Sequence, residues 1–314
     1  MFEKNFVKLR KQIREESPLV HCITSPIAIN DCANAVLAVG AKPIMAEHPR
    51  EVAGITGMAK SLTVSLANIT DARMESILIS GRTALELGIP SVIDVVGVAC
   101  SPLRMELAKR FISECHPAVI KGNTSEIRAL AGDAYHAVGI DVGKEDEVTL
   151  ANPGACTEMK EIASAYARKT EAVVLATGAV DVISDGQQTY YLLNGDACMS
   201  KVTGTGCVLT CLIGACLAVR GTSDEEEPDA KKDKNCQQTT LTATMLACAE
   251  WGIAGELADK EQGLGSYHVG LIDQLSQLSD HTLLWKMRQE PAEERDLSDV
   301  GKQNRFDRES GKER

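Results

Sequence analysis

Short apolar runs rich in β-branched residues recur along the first two thirds of this chain, and longer helical patterns separate most of them. The runs are Leu19 to Thr24, Lys42 to Met45, Leu62 to Leu66, Ser91 to Val96, Ala118 to Lys121, Ala172 to Thr177, Asp181 to Ser184 and Thr189 to Leu193. Helical periodicity occupies Asp31 to Val39, Asp71 to Leu87, Pro102 to Cys115 and Met159 to Lys169. That alternation restricts the chain to an α/β fold, a mainly parallel central sheet with helices on both faces. After a hairpin expected at Asp185-Gly186, two long helical segments follow, Gly206 to Val219 and Thr239 to Ala258.

At 314 residues and 44% hydrophobic content the chain can build a full core. Neither repeats nor a Pro/Gly/Ser linker divide it, so one domain is expected over 1–288. The stretch 223–235 is charged and reads as a loop insertion; the polar residues 289–314 read as a disordered tail. A net charge of -11 argues against a nucleic-acid binder, which needs clustered Lys and Arg. No apolar run reaches the roughly 18 residues of a membrane span. Met1 to Glu16 is charged and amphipathic rather than a signal peptide, so the eleven cysteines are expected to be reduced, in a cytoplasmic protein. They lack metal-site spacing, and most read as small core residues.

The chemistry concentrates at Val202-Thr203-Gly204-Thr205-Gly206-Cys207, immediately before the helical run to Val219. Two glycines permit a sharp turn, and the following helix aims unpaired N–H groups and its positive dipole end into it. A tight turn and an anion cradle account equally well for the glycines alone. Cys207 falls in the first helical turn, where a thiol pKa tends to drop. Asp94 ends an apolar strand, at the carboxyl edge where open α/β sheets bind ligands, although a turn role serves as well. Lys121-Gly122-Asn123-Thr124-Ser125-Glu126 also joins a strand to a helix; Asn123 and Glu126 have capping-box spacing, and a Glu there can also reach a magnesium-bound water or a phosphate. Thr177-Gly178 ends another strand and is either a nucleotide contact or a plain turn. His21 and Cys22 are adjacent on a strand, point to opposite faces and form no dyad.

Together, His21-Cys22-Ile23-Thr24, Asn30 to Met45, Gly122 to Glu126 and Val202 to Cys207 resemble the hydroxyethylthiazole kinase family of the ribokinase-like superfamily, over about Val20 to Met287. Cys207 carries most of that resemblance, because many other ribokinase-like enzymes have Asp after the Gly-x-Gly. The resemblance implies a ribokinase-like three-layer sandwich that transfers the γ-phosphoryl group of ATP to the primary alcohol of 4-methyl-5-(2-hydroxyethyl)thiazole, in thiamin biosynthesis or salvage. It implies an anion hole from Gly204, Thr205, Gly206 and Cys207, with Cys207 taking or orienting the hydroxyl proton. Asp94 and Glu126 would face Mg²⁺; Lys121, Thr177 and Asn123 would contact ATP; Met45, Gly204, Ser25 and Ile27 would contact the thiazole. It also implies a homotrimer with active sites between subunits. The chain departs from the family pattern at Ser25, usually Asn; at Lys121, usually Arg; at Ser65-Leu66-Ala67-Asn68, where Asn-x-Gly is common; and at Asp94-Val95-Val96-Gly97, usually Asp-Pro-Val-Gly. A kinase for another small alcohol, such as a hydroxymethylpyrimidine or a sugar, and a catalytically weak thiazole- or nucleotide-binding relative therefore stay open.

Overall fold

The computed structural model describes residues 2–139, 141–143, 146–219 and 229–292. Among them the strands are β1 (Leu19–Ile23), β2 (Lys42–Ile44), β3 (Ser61–Ser65), β4 (Ser91–Asp94), β5 (Val119–Asn123), β6 (Ala137–Val138), β7 (Asp141–Val142), β8 (Val173–Thr177), β9 (Asp181–Ser184), β10 (Thr189–Leu192) and β11 (Gln289–Pro291). The helices are α1 (Phe2–Glu16), α2 (Ile29–Ala38), α3 (Val52–Met58), α4 (Asp71–Glu86), α5 (Pro102–Cys115), α6 (Thr124–Ala131), α7 (Pro153–Thr170), α8 (Thr205–Leu217), α9 (Asp229–Leu257), α10 (Leu264–Gln277) and α11 (Asp280–Lys286). Nine strands form one sheet in the order β11-β10-β9-β8-β5-β4-β3-β1-β2. β2, β1, β3, β4, β5 and β8 run parallel, and the β8-β9-β10-β11 end is antiparallel. β6 and β7 pair separately.

The sheet is buried on both faces, and the pleat divides its residues between two cores. Val92, Val119 and Val173 join α1, α2, α8, α9 and α10 on one side; the next residues, Ile93, Ile120 and Val174, join α4, α5, α6 and α7 on the other. Successive side chains of a strand point to opposite faces, so a continuous apolar run is what a two-faced strand requires. The result is the expected three-layer arrangement. Helix α8 runs antiparallel to β3: Ser61 Oγ donates to the Gly214 carbonyl at 2.7 Å, Thr63 Oγ1 lies 3.7 Å from Cys211 Sγ, and Ser65 Oγ lies 3.9 Å from Cys207 Sγ. Gly214 makes that approach possible, since a Cβ there would meet the Thr63 methyl at 2.2 Å. This alignment delivers the start of α8 to the carboxyl ends of β3 and β4.

Three boundaries differ from expectation. α7 starts at Pro153 rather than Met159, because Asn152 caps it by accepting the Ala155 N–H at 3.2 Å and Pro153 occupies the first turn. α9 starts at Asp229, so part of the stretch expected as a charged loop over 223–235 is helix; its Ala, Lys and Gln favour that state. Residues 223–228 lie outside the described residues. The fold also continues past 288: Gln289–Pro291 pair with β10, and Ala292 N donates to the Thr189 carbonyl at 2.9 Å. An edge strand held by backbone pairing needs no apolar alternation, and its terminal Pro is tolerated there. The remainder of the tail, 293–314, lies outside the described residues. No described helix is long and apolar enough to cross a membrane. Ten cysteines among the described residues are free thiols, eight of them buried, which agrees with their reading as small core residues. His21 is a buried structural group, its ring nitrogens 2.9 Å from Thr56 Oγ1 and from the Ala46 carbonyl.

Candidate active site

The parallel register places Ser65 beside Asp94 and Asp94 beside Lys121, across three neighbouring strands at their carboxyl ends. All three are buried, and two-residue spacing puts them on the same face as Val92 and Val119, towards α8. Lys121 Nζ lies 3.2 Å from Asp94 Oδ1 and donates to the Gly206 carbonyl at 3.1 Å. Ser65 Oγ donates to Asp94 Oδ2 at 3.4 Å and reaches Cys207 Sγ at 3.9 Å. One ammonium thus ties the sheet to the opening turn of α8. Burial pulls the Lys121 pKa down, but Asp94, Cys207 and Glu126 outweigh it and the net shift is upward.

The turn into α8 is built by Gly204, whose φ of +88° suits glycine. A Cβ there would also come within 3.0 Å of the Ala28 methyl. Gly204 provides no side-chain cap, so the N–H groups of the first turn lack the partner that a Ser or Asp would supply. Thr205 Oγ1 bonds back to the Met199 and Val202 carbonyls at 3.3 and 3.4 Å, and Trp251 Nε1 donates to the Thr205 carbonyl at 3.1 Å. Gly206 is exposed.

Cys207 is buried in that turn, and its thiol behaves opposite to the expectation from its place on the helix. Burial, reinforced by Asp94, pushes its pKa up to about 11 against the opposing pull of Lys121 and Ser65. Desolvation beside a carboxylate disfavours a thiolate more than one helix end favours it. The thiol is therefore protonated at neutral pH.

Glu126 supplies the second acid. Its Oε2 accepts the Asn123 N–H at 2.7 Å while Asn123 Oδ1 accepts the Glu126 N–H at 2.9 Å, a complete capping box. Its Oε1 accepts the Gly97 N–H at 2.6 Å. Capping and site geometry are thus served by one side chain. Burial and then Asp94 raise the Glu126 pKa to about 7, against the Gly97 and Asn123 N–H groups and Lys121. An acid held that high beside a second buried carboxylate marks a place short of positive charge. Among the described residues no group of three or more His, Cys, Asp and Glu side chains could hold a metal. A Mg²⁺ site does not require such a group, since Mg²⁺ binds few carboxylates and keeps phosphate and water ligands.

The remaining expected positions are Thr177, Ser25, Ile27 and Met45. Thr177, one strand beyond β5, donates from Oγ1 to the Gly122 carbonyl at 3.2 Å. Ser25 is buried and its hydroxyl donates to Asn68 Oδ1 at 2.7 Å. Ile27 is 63% exposed on the same turn, and Met45 is half-buried after β2. The turn 25–28 approaches Gly204 through Ala28.

Sequence reasoning missed three contributors. Buried Arg73 of α4 donates to the Ala67, Asn68 and Thr24 carbonyls at 2.9, 3.0 and 2.6 Å, locking the loops after β1 and β3 together. A cation in the first turn of a helix opposes the dipole, which was its available signal. Asp181 Oδ1 accepts the Gly178 N–H at 3.0 Å, and desolvation raises its pKa to about 7. Trp251 reaches the α8 turn from α9 with no local signature.

The hydroxyethylthiazole kinase family model matches residues 10–281. Hydroxyethylthiazole kinase 2 of Clostridium botulinum strain Hall is 48% identical over 282 residues, covering 90% of this chain and 98% of that protein. The solved hydroxyethylthiazole kinase of Pyrococcus horikoshii superposes with a TM-score of 0.76 at 32% identity, over 92% of this chain and all of that one. A ribokinase-like superfamily protein of Enterococcus faecalis, at 11% identity and a TM-score of 0.50 over 84% of this chain and 88% of its own, shares the fold alone. The chain belongs to the hydroxyethylthiazole kinase family, on a ribokinase-like three-layer α/β fold.

Proposed function

We propose that this chain is the kinase that transfers the γ-phosphoryl group of ATP to the primary alcohol of 4-methyl-5-(2-hydroxyethyl)thiazole, in thiamin salvage. The observation that carries the reading is Cys207 in the uncapped opening turn of α8, set against the Ser65-Asp94-Lys121 row. Phosphoryl transfer asks for in-line positioning and neutralisation of equatorial charge more than for covalent help. The first-turn N–H groups of Thr205, Gly206 and Cys207 are donors aimed where that charge develops.

In this reading the substrate hydroxyl lies against Cys207. The O–P bond to the alcohol forms as the bond to the β–γ bridging oxygen breaks, and ADP leaves. A thiol protonated up to about pH 11 orients the hydroxyl rather than removing its proton. A loose transition state lets that proton leave late, to an oxygen of the transferred phosphoryl group, so no strong base is required. Lys121, bound to Asp94 and to Gly206, holds the row and the turn in register. Asp94 and Glu126 would hold Mg²⁺, which would supply positive charge against the phosphates. Thr177 and Asn123 flank the nucleotide side; Met45, Ile27, Ser25 and Gly204 flank the alcohol side. We further propose a cytoplasmic homotrimer in which exposed Ile27, beside the site, is covered by a neighbouring chain.

The test is ADP release by the full chain with ATP and millimolar Mg²⁺, before and after the thiazole alcohol is added. Alcohol-dependent release supports the assignment; its absence with folded protein removes it. Light scattering at three chain masses supports the trimer, and monomers throughout contradict it.

A further inference from the structure

In the proposed reading, the alcohol side of the site is flanked by two loops, 24–28 after β1 and 66–69 after β3. Buried Arg73 clamps them through carbonyls of both, Thr24 on one and Ala67 and Asn68 on the other. The first loop touches the catalytic turn, where Ala28 packs on Gly204; the second is tied to it through the end of β3, where Ser65 accepts the Ala67 N–H at 3.3 Å and meets Cys207. The two loops are joined by one side-chain bond, from Ser25 Oγ to Asn68 Oδ1. Asn68 is also one of the few non-glycine residues with positive φ, +51°. Asn tolerates that conformation better than most residues, and held backbone of this kind gathers at ligand sites.

Ser25 has little left to offer a substrate. Its single proton goes to Asn68, and its oxygen already accepts the Ile27 N–H at 3.3 Å. The side chains of Ile27 and Met45 bring no polar group. Among the described residues of the two loops, the amide NH₂ of Asn68 is a side-chain donor without a protein partner; its oxygen is fixed by Ser25, and the residue is exposed.

We propose that Asn68 is a substrate-specificity residue of this chain, donating from Nδ2 to the ring nitrogen of the heteroaromatic alcohol, with Ser25 acting through it as a positioning residue. The proposal rests on the thiazole-kinase reading for the identity of the ligand. A ring nitrogen without hydrogen is an acceptor only, so it needs a donor held at one place. The Ser25 bond and the Arg73 clamp give the amide that fixed orientation before ligand arrives.

The experiment compares the wild type with Asn68→Gly, Asn68→Asp and Ser25→Ala. Gly accepts the positive φ, and Asp keeps an acceptor for Ser25 while losing the donor. Calorimetry measures binding of the thiazole alcohol and of the isosteric thiophene alcohol, whose ring nitrogen is replaced by CH, and ADP release is followed in parallel. The wild type is expected to prefer the thiazole by about tenfold. Asn68→Gly and Asn68→Asp should lose that preference, with about tenfold weaker thiazole binding and an unchanged KM for ATP and kcat; Ser25→Ala should fall between. Thermal midpoints near the wild-type value show that the variants fold. Preference and affinity retained in both Asn68 variants overturn the proposal, as does a loss confined to kcat. Binding with discrimination but without ADP release leaves Asn68 supported and removes the kinase reading. Neither binding nor release in the wild type removes both.

Discussion

Helices α6 and α8 begin in the same way, each entered through glycine-containing chain near the carboxyl edge of the sheet, yet their first turns are finished differently. α6 closes its own end, with Asn123 and Glu126 taking each other's backbone N–H groups in a capping box. α8 starts at Gly204, which has no side chain to offer. The two ends face one buried centre, joined through Lys121, Asp94 and the field that Asp94 exerts on Glu126. The closed end keeps a carboxylate in place at the cost of a raised pKa. The open end keeps donors free for an anion. A helix dipole alone does not make a site; the missing cap does.

The strongest way to break this contrast is to close α8 as α6 is closed. Gly204→Asp puts a capping carboxylate in the turn, where it competes with the transferring phosphoryl group, and should lower kcat/KM by roughly 10²–10³. Gly204→Asn, neutral and tolerant of positive φ, should lose less in the same assay. Next in size is Cys207→Ser, expected to lower kcat by about tenfold or more with KM for the alcohol within about twofold, because the orienting contact matters in the transition state. Equal turnover would make Cys207 a packing residue only.

Opening α6 tests the contrast from its other side. Asn123→Ala removes half of the capping box and should cost roughly 1 kcal/mol of stability, read by denaturant unfolding. A pH effect is the smallest. Asp181 stands near 7 in the folded chain against 3.8 as its ordinary value. A raised acid binds its proton more tightly when folded, so its stabilising contribution is complete below about pH 3.8 and is lost as pH rises through about 7. Wild-type stability should therefore fall by about 1 kcal/mol more than that of Asp181→Asn between pH 6 and 7. Parallel curves for the two proteins would place Asp181 in water rather than in the fold.

Much of this arrangement was legible in residue order. The expected strands agree with β1, β3, β4, β5, β8, β9 and β10 nearly residue for residue, because a strand buried on both faces is a continuous apolar run bounded by turn residues. Strands β6, β7 and β11 carry no such run and are defined by backbone partners that sequence does not display. Helices α3, α10 and α11 went unread, and α9 was shortened at its charged start. At the site, the glycine turn, Asp94 and the Asn123-Glu126 pair were visible because each sits at a strand end or helix start. Arg73, Trp251 and the bond between Ser25 and Asn68 join segments distant in the chain, and only the fold brings them together. The Cys207 thiol shows the limit of local rules: its helix position argues for a lowered pKa, and its buried neighbours raise it.

The most direct measurement is alcohol-dependent ADP release by the full chain, with ATP and Mg²⁺, in the wild type and in Gly204→Asp. The account predicts release that requires the thiazole alcohol in the wild type and nearly disappears in the folded variant. No alcohol-dependent release from the wild type, or a variant as active as its parent, would contradict it.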